Sequence, residues 1–292
     1  MKILELNCAN GDSRLQSEME SVVLRESHEY HRMHVKDVVL VCTDGVLRVF
    51  HFGQEIGTHF DVAFVRGRGK YAHMTSLLVR VLKHQQTKIH GSLSAGEFTH
   101  NDGKITQMVD LTLAQLPIPK TIIFAKGTFA TIPAIFESAG FTMPAVLKRT
   151  GSKGSCVWKV NSYDDIAKQL EMVDAGELFL LQEYIPNSFD IRALYFGGQF
   201  IGAMARKSND GFYNNASLGA DVEKIEITKD EHELALRACA VLNQDFAGVD
   251  IVRSDRGLLF FEINNRPGYE GFERATGISV GARVAEIMLK QM

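Results

Sequence analysis

The sequence predicts a mixed fold: an α/β stretch over residues 1–97, followed by a larger α+β body over residues 98–292. Three observations carry that reading. Strand-like and helix-like segments alternate through the first hundred residues. From about residue 98, paired strand runs joined by turn residues take over. Between those runs lie helices opened by capping boxes. At 292 residues, 45% of them hydrophobic, the chain can bury a sizeable core and divide into two domains or subdomains.

In order along the chain, "KILELN" and "FDVAFVRG" read as strands, and "VVLVCTDGVLRVFHF" reads as a hairpin turning at Asp44-Gly45. Leu77, Leu78, Val81 and Leu82 recur with helical spacing in "MTSLLVRVLKHQQ". No G-x-G-x-x-G follows the first strand, which argues against a dinucleotide site there. "KITQMVDLTLAQL" reads as a helix stopped by Pro117 and Pro119. "PAVLKRT" and "CVWKV" are strands joined by "GSKGS", unlike a Walker loop, which runs into a helix. Ser162 and Asp165 stand at capping-box spacing before a short helix, and "LFLLQEYI" is a buried strand by its unbroken apolar run. "DIRALYFGGQFIGAMARKS" is a hairpin through Gly197-Gly198. A Thr228/Glu231 capping box opens the next helix, with an expected apolar face of Leu234, Ala238, Val241 and Leu242.

A net charge of −3 offers no basic surface for nucleic acid. The longest apolar runs fall well short of the ~20 residues that span a bilayer. The opening "MKILELNCAN" reads as a strand rather than a targeting segment. Cys8, Cys42, Cys156 and Cys239 are scattered without a C-x-x-C pair, favouring reduced, mostly buried thiols over a disulfide frame or zinc knuckle. The expectation is a cytoplasmic protein without nucleic-acid or membrane partners.

The last hairpin, "GVDIVRSDRGLLFFEIN", carries the most chemistry. If it turns at Asp255-Arg256-Gly257, Glu262 and Asn264 project from one face, with Asp250 within cross-strand reach. Two carboxylates and an amide oxygen then converge among Val249, Ile251, Phe261 and Ile263. Burying such anions demands a compensating cation, and a hard divalent ion with oxygen ligands fits. A solvated hairpin face, or an ion pair with a nearby arginine, is the competing account.

The segments "VLKRTGSKGS", "LLQEYIPNSFDIRALY", "FYNNASLGA" and "GVDIVRSDRGLLFFEINNRPGYEGFERATGI" stand together in one order and spacing. Over about residues 98–292 they make the chain resemble the ATP-grasp superfamily. The likeness is to its RimK-like carboxylate–amine ligases, a branch that includes an enzyme adding glutamates to a ribosomal protein. The resemblance implies an ATP-grasp fold behind an N-terminal α/β domain (1–97) that shapes the acceptor site. A central subdomain (98–185) would carry the phosphate-covering loop, and a C-terminal one (186–292) the metal site. Lys104 and Lys148 match lysines that hold nucleotide phosphates, and Gly151, Ser152 and Gly154 would lie over them. Cys156 stands where a final glycine is usual. Glu183, Tyr184 and Ile185 match the edge that receives adenine, Asp190 a ribose ligand, and Asn215 an amide near the phosphates or metals. Of the two expected catalytic arginines, Arg192, two positions beyond Asp190 on the same strand face, could meet an acyl-phosphate or the substrate carboxylate, and Arg206 matches an arginine that touches the transferring phosphate. Asp250, Glu262 and Asn264 match ligands of one or two Mg2+ ions, with Mn2+ as a substitute. Arg266 and Arg274 are candidates for the substrate carboxylate, with ion pairs to Glu270 or Glu273 as the alternative. Tyr213 replaces an arginine of the ribosomal-protein enzyme.

The implied activity is ATP-dependent amide formation through an acyl-phosphate, on an amino acid, peptide or protein, by a homodimer or homotetramer. A silent ATP-binding scaffold, a phosphotransferase and an ester-forming ligase are the alternatives. Two further features stand apart. His28, His31 and His34 have a spacing that aligns on a helix, but lack acidic or cysteine partners for zinc. Arg66 and Arg68, in "VRGRGK", could hold an anionic substrate or form a solvated basic turn.

Overall fold

The computed structural model describes residues 1–7, 20–21, 23–25, 27–66, 71–91, 103–149, 156–171, 173–207, 221–244, 246–264 and 267–291. The chain forms two compact units. Residues 1–109 and 120–183 make the first, and 110–119 and 184–292 the second.

The first unit holds two sheets. A four-stranded parallel sheet runs β2-β1-β6-β7, from β1 (Lys2–Asn7), β2 (Glu29–His34), β6 (Val62–Arg66) and β7 (Lys88–Gly91). Helix α1 (Ala72–His84) connects β6 to β7 and buries Leu77, Leu78, Val81 and Leu82, the face its spacing predicts. A seven-stranded antiparallel sheet runs β10-β9-β11-β8-β3-β4-β5. Its strands are β3 (Val38–Thr43), β4 (Val46–His51), β5 (Gln54–Ile56), β8 (Thr121–Ala125), β9 (Ala145–Arg149), β10 (Val157–Val160) and β11 (Leu178–Glu183). The β3–β4 hairpin turns at Asp44-Gly45 with φ of 49° and 73°, the paired positive values of a tight two-residue turn. This sheet crosses the division expected near residue 97, because β3 pairs directly with β8. The two share one core in which Val39, Val41, Ile122 and Phe124 join Phe136 and Leu147. Helices α2 (Lys104–Leu113), α3 (Ile132–Ser138) and α4 (Tyr163–Leu170) complete this part of the chain, although the end of α2 belongs to the second unit. Ser162 caps α4 by accepting the Asp165 N–H, as its position predicts.

The second unit is built on a five-stranded antiparallel sheet of order β14-β13-β12-β15-β16. Its strands are β12 (Asp190–Phe196), β13 (Gln199–Lys207), β14 (Asp221–Lys224), β15 (Phe246–Ser254) and β16 (Gly257–Asn264). Helix α5 (Lys229–Val241) packs against β15, while α6 (Glu270–Thr276) lies on β13 and β14 and α7 (Val280–Gln291) on β13. The Thr228/Glu231 box is formed in full. The buried face of α5 is Ala235, Ala238, Cys239 and Leu242, however, and Val241 is 40% exposed. Ala238 and Leu242 are buried as expected, while Ala235 and Cys239 take the places expected of Leu234 and Val241, because the buried face is rotated by about one residue.

Candidate active site

Directly opposed residues of an antiparallel pair share a face. Asp190 opposes Arg206, Arg192 opposes Asp250, Asp250 opposes Glu262, and Gly248 opposes Asn264. The second unit thus gathers all of these polar side chains on one face of four adjacent strands. Further along the same face the surface is apolar, where Leu194 and Met204 pack with Phe272, Val280 and Ile287 of α6 and α7.

A bulge sets that arrangement. Ser254 pairs with Gly257, so the turn uses Asp255 and Arg256 only, one residue fewer than expected. Counted from that pair alone, Asp250 would oppose Phe261, leaving Glu262 on the other face. The register shifts between Asp250 and Ile251, so Ile251 pairs with Phe260 while Asp250 pairs with Glu262. The extra residue, Phe261, returns both carboxylates to one side.

The side chains form a bonded chain. Arg206 donates from Nε and Nη2 to the two Asp190 oxygens at 2.6 and 2.7 Å. Arg192 grips Asp250 the same way, at 2.7 Å to each oxygen. Asp250 Oδ2 also lies 3.1 Å from Arg206 Nη2 and accepts from Asn264 Nδ2 at 3.5 Å. Bidentate guanidinium–carboxylate pairs are the strong form of this contact, and removing one partner leaves an uncompensated buried charge. Burial raises the Asp250 carboxyl, but Arg192 and Arg206 outweigh it and hold it below the ordinary range. Burial lowers Arg206, but Asp250 and Asp190 more than compensate, fixing its charge. Asp190 is pushed up to about 6, by burial first and then by the Asp250 charge, against the pull of Arg206.

The structure gives two of the expected ligands arginine partners: Asp190 pairs with Arg206, and Asp250 with Arg192 and Arg206, the ion pair that is the competing account of the hairpin. Asp250, Glu262 and Asn264 nevertheless occupy neighbouring positions on one face, with Glu262 a third carboxylate beside two arginines. An all-oxygen donor set of this kind suits Mg2+, so the residues fit the ion.

The remaining expected residues are placed as follows. Lys104 opens α2 and Lys148 lies on β9 opposite Leu180, both in the first unit. Glu183 closes β11. Its N–H donates to Lys120 O at 3.0 Å, and its side chain accepts the Lys120 N–H at 2.7 Å. Tyr184 and Ile185 begin the long final run of the second unit. Arg274 is exposed on α6 and, among the described residues, pairs with neither Glu270 nor Glu273. Gly151, Ser152, Gly154, Asn215, Arg266 and Arg68 lie outside the described residues, as does the side chain of Arg66 at the end of β6. The histidines do not converge, because the stretch is a strand. His31 and His34 fall on opposite faces of β2, and His28 Nδ1 meets the Met1 amino group at 3.4 Å. Among the described residues, no three His, Cys, Asp or Glu side chains form a metal-holding group.

Residues 248 and 267 escape a motif-based reading. A Cβ on Gly248 would stand 2.6 Å from Pro267 Cβ, so the missing side chain lets buried Pro267 rest on β15 beside the position facing Asn264. A glycine inside a largely apolar strand is the signal for such an approach.

The chain is similar to known proteins in sequence and in fold. The model of the RimK-like ATP-grasp domain matches residues 102–288. A probable alpha-L-glutamate ligase of Trichodesmium erythraeum is 31% identical over 183 residues, 61% of this chain and 60% of that protein. The coenzyme gamma-F420-2:alpha-L-glutamate ligase of Methanococcus maripaludis is 27% identical over 297 residues, 99% of each chain. Among solved structures, the ATP-grasp ligase PsnB complexed with a minimal precursor has the same fold. It has a TM-score of 0.53 at 19% identity and covers 100% of this chain and 99% of that one.

Proposed function

Because the chain belongs to the RimK-like ATP-grasp family, we propose that it joins a carboxylate to an amine with ATP, releasing ADP and phosphate. The observation that carries this reading is the face shared by Asp190, Arg192, Arg206, Asp250, Glu262 and Asn264. It places acidic oxygen donors and bidentate cations side by side, the equipment for handling phosphoryl charge. A carboxylate oxygen of the substrate attacks the γ-phosphorus and the bond to ADP breaks. The amine nitrogen then attacks the acyl carbon, phosphate leaves, and the nitrogen gives up a proton. Arg192 and Arg206 steady the anionic oxygens of the transferring group, while Asp250, Glu262 and Asn264 would hold magnesium, with manganese as a substitute. The ion, when bound, supplies charge neutralisation to the phosphates.

In the first unit, Lys104 and Lys148 are proposed to bind phosphate as point charges. Glutamate is the proposed amine, following the names of the two relatives, and a peptide or protein end the proposed carboxylate, following the precursor bound by PsnB. The free thiols Cys42, Cys156 and Cys239 suit the cytoplasm. No helix among the described residues is long and apolar enough to cross a membrane.

The test combines Mg-ATP with glutamate and a panel of carboxylates, following ADP, AMP and product mass. A product equal to the two reactants minus water, with ADP, supports the ligase. A stable phosphorylated product indicates a phosphotransferase. Glu262→Ala is expected to abolish turnover with its circular dichroism unchanged. Undiminished turnover in that variant would sink the site.

A further inference from the structure

We infer that Arg192 is a placeholder for the metal ion. It occupies the Asp250 carboxylate until nucleotide supplies another anion for its guanidinium, so that metal and nucleotide binding are coupled. This rests on the reading that Asp250, Glu262 and Asn264 hold the metal.

The occupancy of Asp250 carries the argument. Its Oδ1 accepts Arg192 Nε at 2.7 Å, and its Oδ2 accepts Arg192 Nη2 at 2.7 Å, with Arg206 and Asn264 at 3.1 and 3.5 Å. Both oxygens are committed to protein donors, and two guanidiniums stand where a divalent cation would be repelled. The arginines differ, however. Arg206 has a side chain 3% exposed and holds Asp190 through two bonds besides its approach to Asp250. Arg192 is 14% exposed and, among the described residues, bonds to Asp250 alone. Arg206 is therefore the fixed member and Arg192 the releasable one.

Release of Arg192 without replacement would leave Asp250 buried with only a share of Arg206, which is costly. Metal binding without release would force the cation against a guanidinium. A phosphate or acyl-phosphate oxygen resolves both, since it takes the fork of Arg192 in a charge-assisted pair and frees Asp250 for the cation. Each ligand thus removes the obstacle to the other, and the coupling is reciprocal.

Mn2+ binding to the full-length protein tests this by electron paramagnetic resonance of the free ion, with and without ADP. Wild type is expected to bind Mn2+ on the order of tenfold more tightly with ADP, within the range of ordinary coupling. Arg192→Met is expected to bind Mn2+ about tenfold more tightly than wild type without nucleotide, and to lose most of the coupling. Arg192→Lys, which keeps the charge but loses the two-point grip, should fall between and serves if the methionine variant fails to fold by circular dichroism. Nucleotide-free affinity in the folded Arg192 variants no tighter than wild type overturns the placeholder. Glu262→Ala separates that failure from failure of the site. Loss of Mn2+ binding there, with or without ADP, upholds the metal assignment, whereas wild-type binding removes it and the placeholder together.

Discussion

Arg206 and Arg192 look alike in sequence, each two-pronged on an aspartate, yet burial gives them different weight. Arg206 is 2% exposed and neutralises two carboxylates, Asp190 through both oxygens and Asp250 through one. Arg206→Met therefore strands buried negative charge and is expected to cost about 3–5 kcal/mol. Arg192→Met leaves Arg206 and Asn264 beside Asp250 and should cost less. Urea unfolding of both variants checks the order, and equal losses would mean that the exposure difference carries no energetic weight. Gly248 acts through contact. Gly248→Ala puts a methyl 2.6 Å from Pro267 Cβ and 3.5 Å from Leu194 Cδ2, so backbone or proline must move. The expected cost is about 1–3 kcal/mol, as for other overpacked positions. Because Gly248 faces Asn264, Mn2+ affinity should fall with it. Unchanged stability and unchanged metal binding would show that the loop yields freely.

At the scale of the element, α5 depends on its first turn. Thr228 Oγ1 accepts the Glu231 N–H at 3.2 Å, Glu231 Oε2 accepts the Thr228 N–H at 2.8 Å, and Arg253 holds Glu231 at 2.6 and 2.9 Å. Thr228→Ala removes one of these bonds and should cost about 1 kcal/mol in chemical unfolding. Such caps, and the turns at Asp44-Gly45 and Gly197-Gly198, were legible because their chemistry is local. The residues themselves supply the hydroxyl or the positive φ. The polar face was legible in part. Asp250, Glu262 and Asn264 stand out as oxygen-bearing residues among apolar ones, but a bulge at Phe261, not a three-residue turn, aligns them. Neither strand marks that shift locally. The joining of β3 to β8 is likewise silent in sequence, since more than seventy residues separate two strands that are both largely apolar and buried throughout. Val241 was misplaced because spacing alone cannot distinguish two overlapping apolar stripes on one helix.

For the whole molecule, the carboxylates and one histidine determine how stability responds to acid. Asp250 and Glu231 sit below their ordinary values. Asp250 does so because Arg192 and Arg206 outweigh burial, and Glu231 chiefly through its bond to Arg253. For both, the unfolded chain binds protons first. Their contribution is present above the ordinary carboxylate values of about 4 and is lost as pH falls through the folded values. His51 is lowered by burial, so stability present above its ordinary value of 6.5 is lost as pH falls below it. Asp190 works in the opposite sense. Raised to about 6 by burial first, it takes up its proton more readily in the folded state, so acidification from about 6 towards 3.8 adds stability. His51 and Asp190 thus oppose one another in mild acid, whereas Asp250 and Glu231 act together in strong acid. The expected unfolding midpoint in urea does not decline steadily from pH 7 to about 4.5, because Asp190 opposes His51 there, and it falls in stronger acid. Glu231→Gln should leave the part above about pH 4.5 unchanged in shape and reduce the fall, because position 231 then has no carboxyl to take up a proton on unfolding. A wild-type midpoint declining steadily from pH 7 would mean that Asp190 does not offset His51. An undiminished acid fall in Glu231→Gln would mean that the Arg253 pair does not supply the acid sensitivity assigned to it.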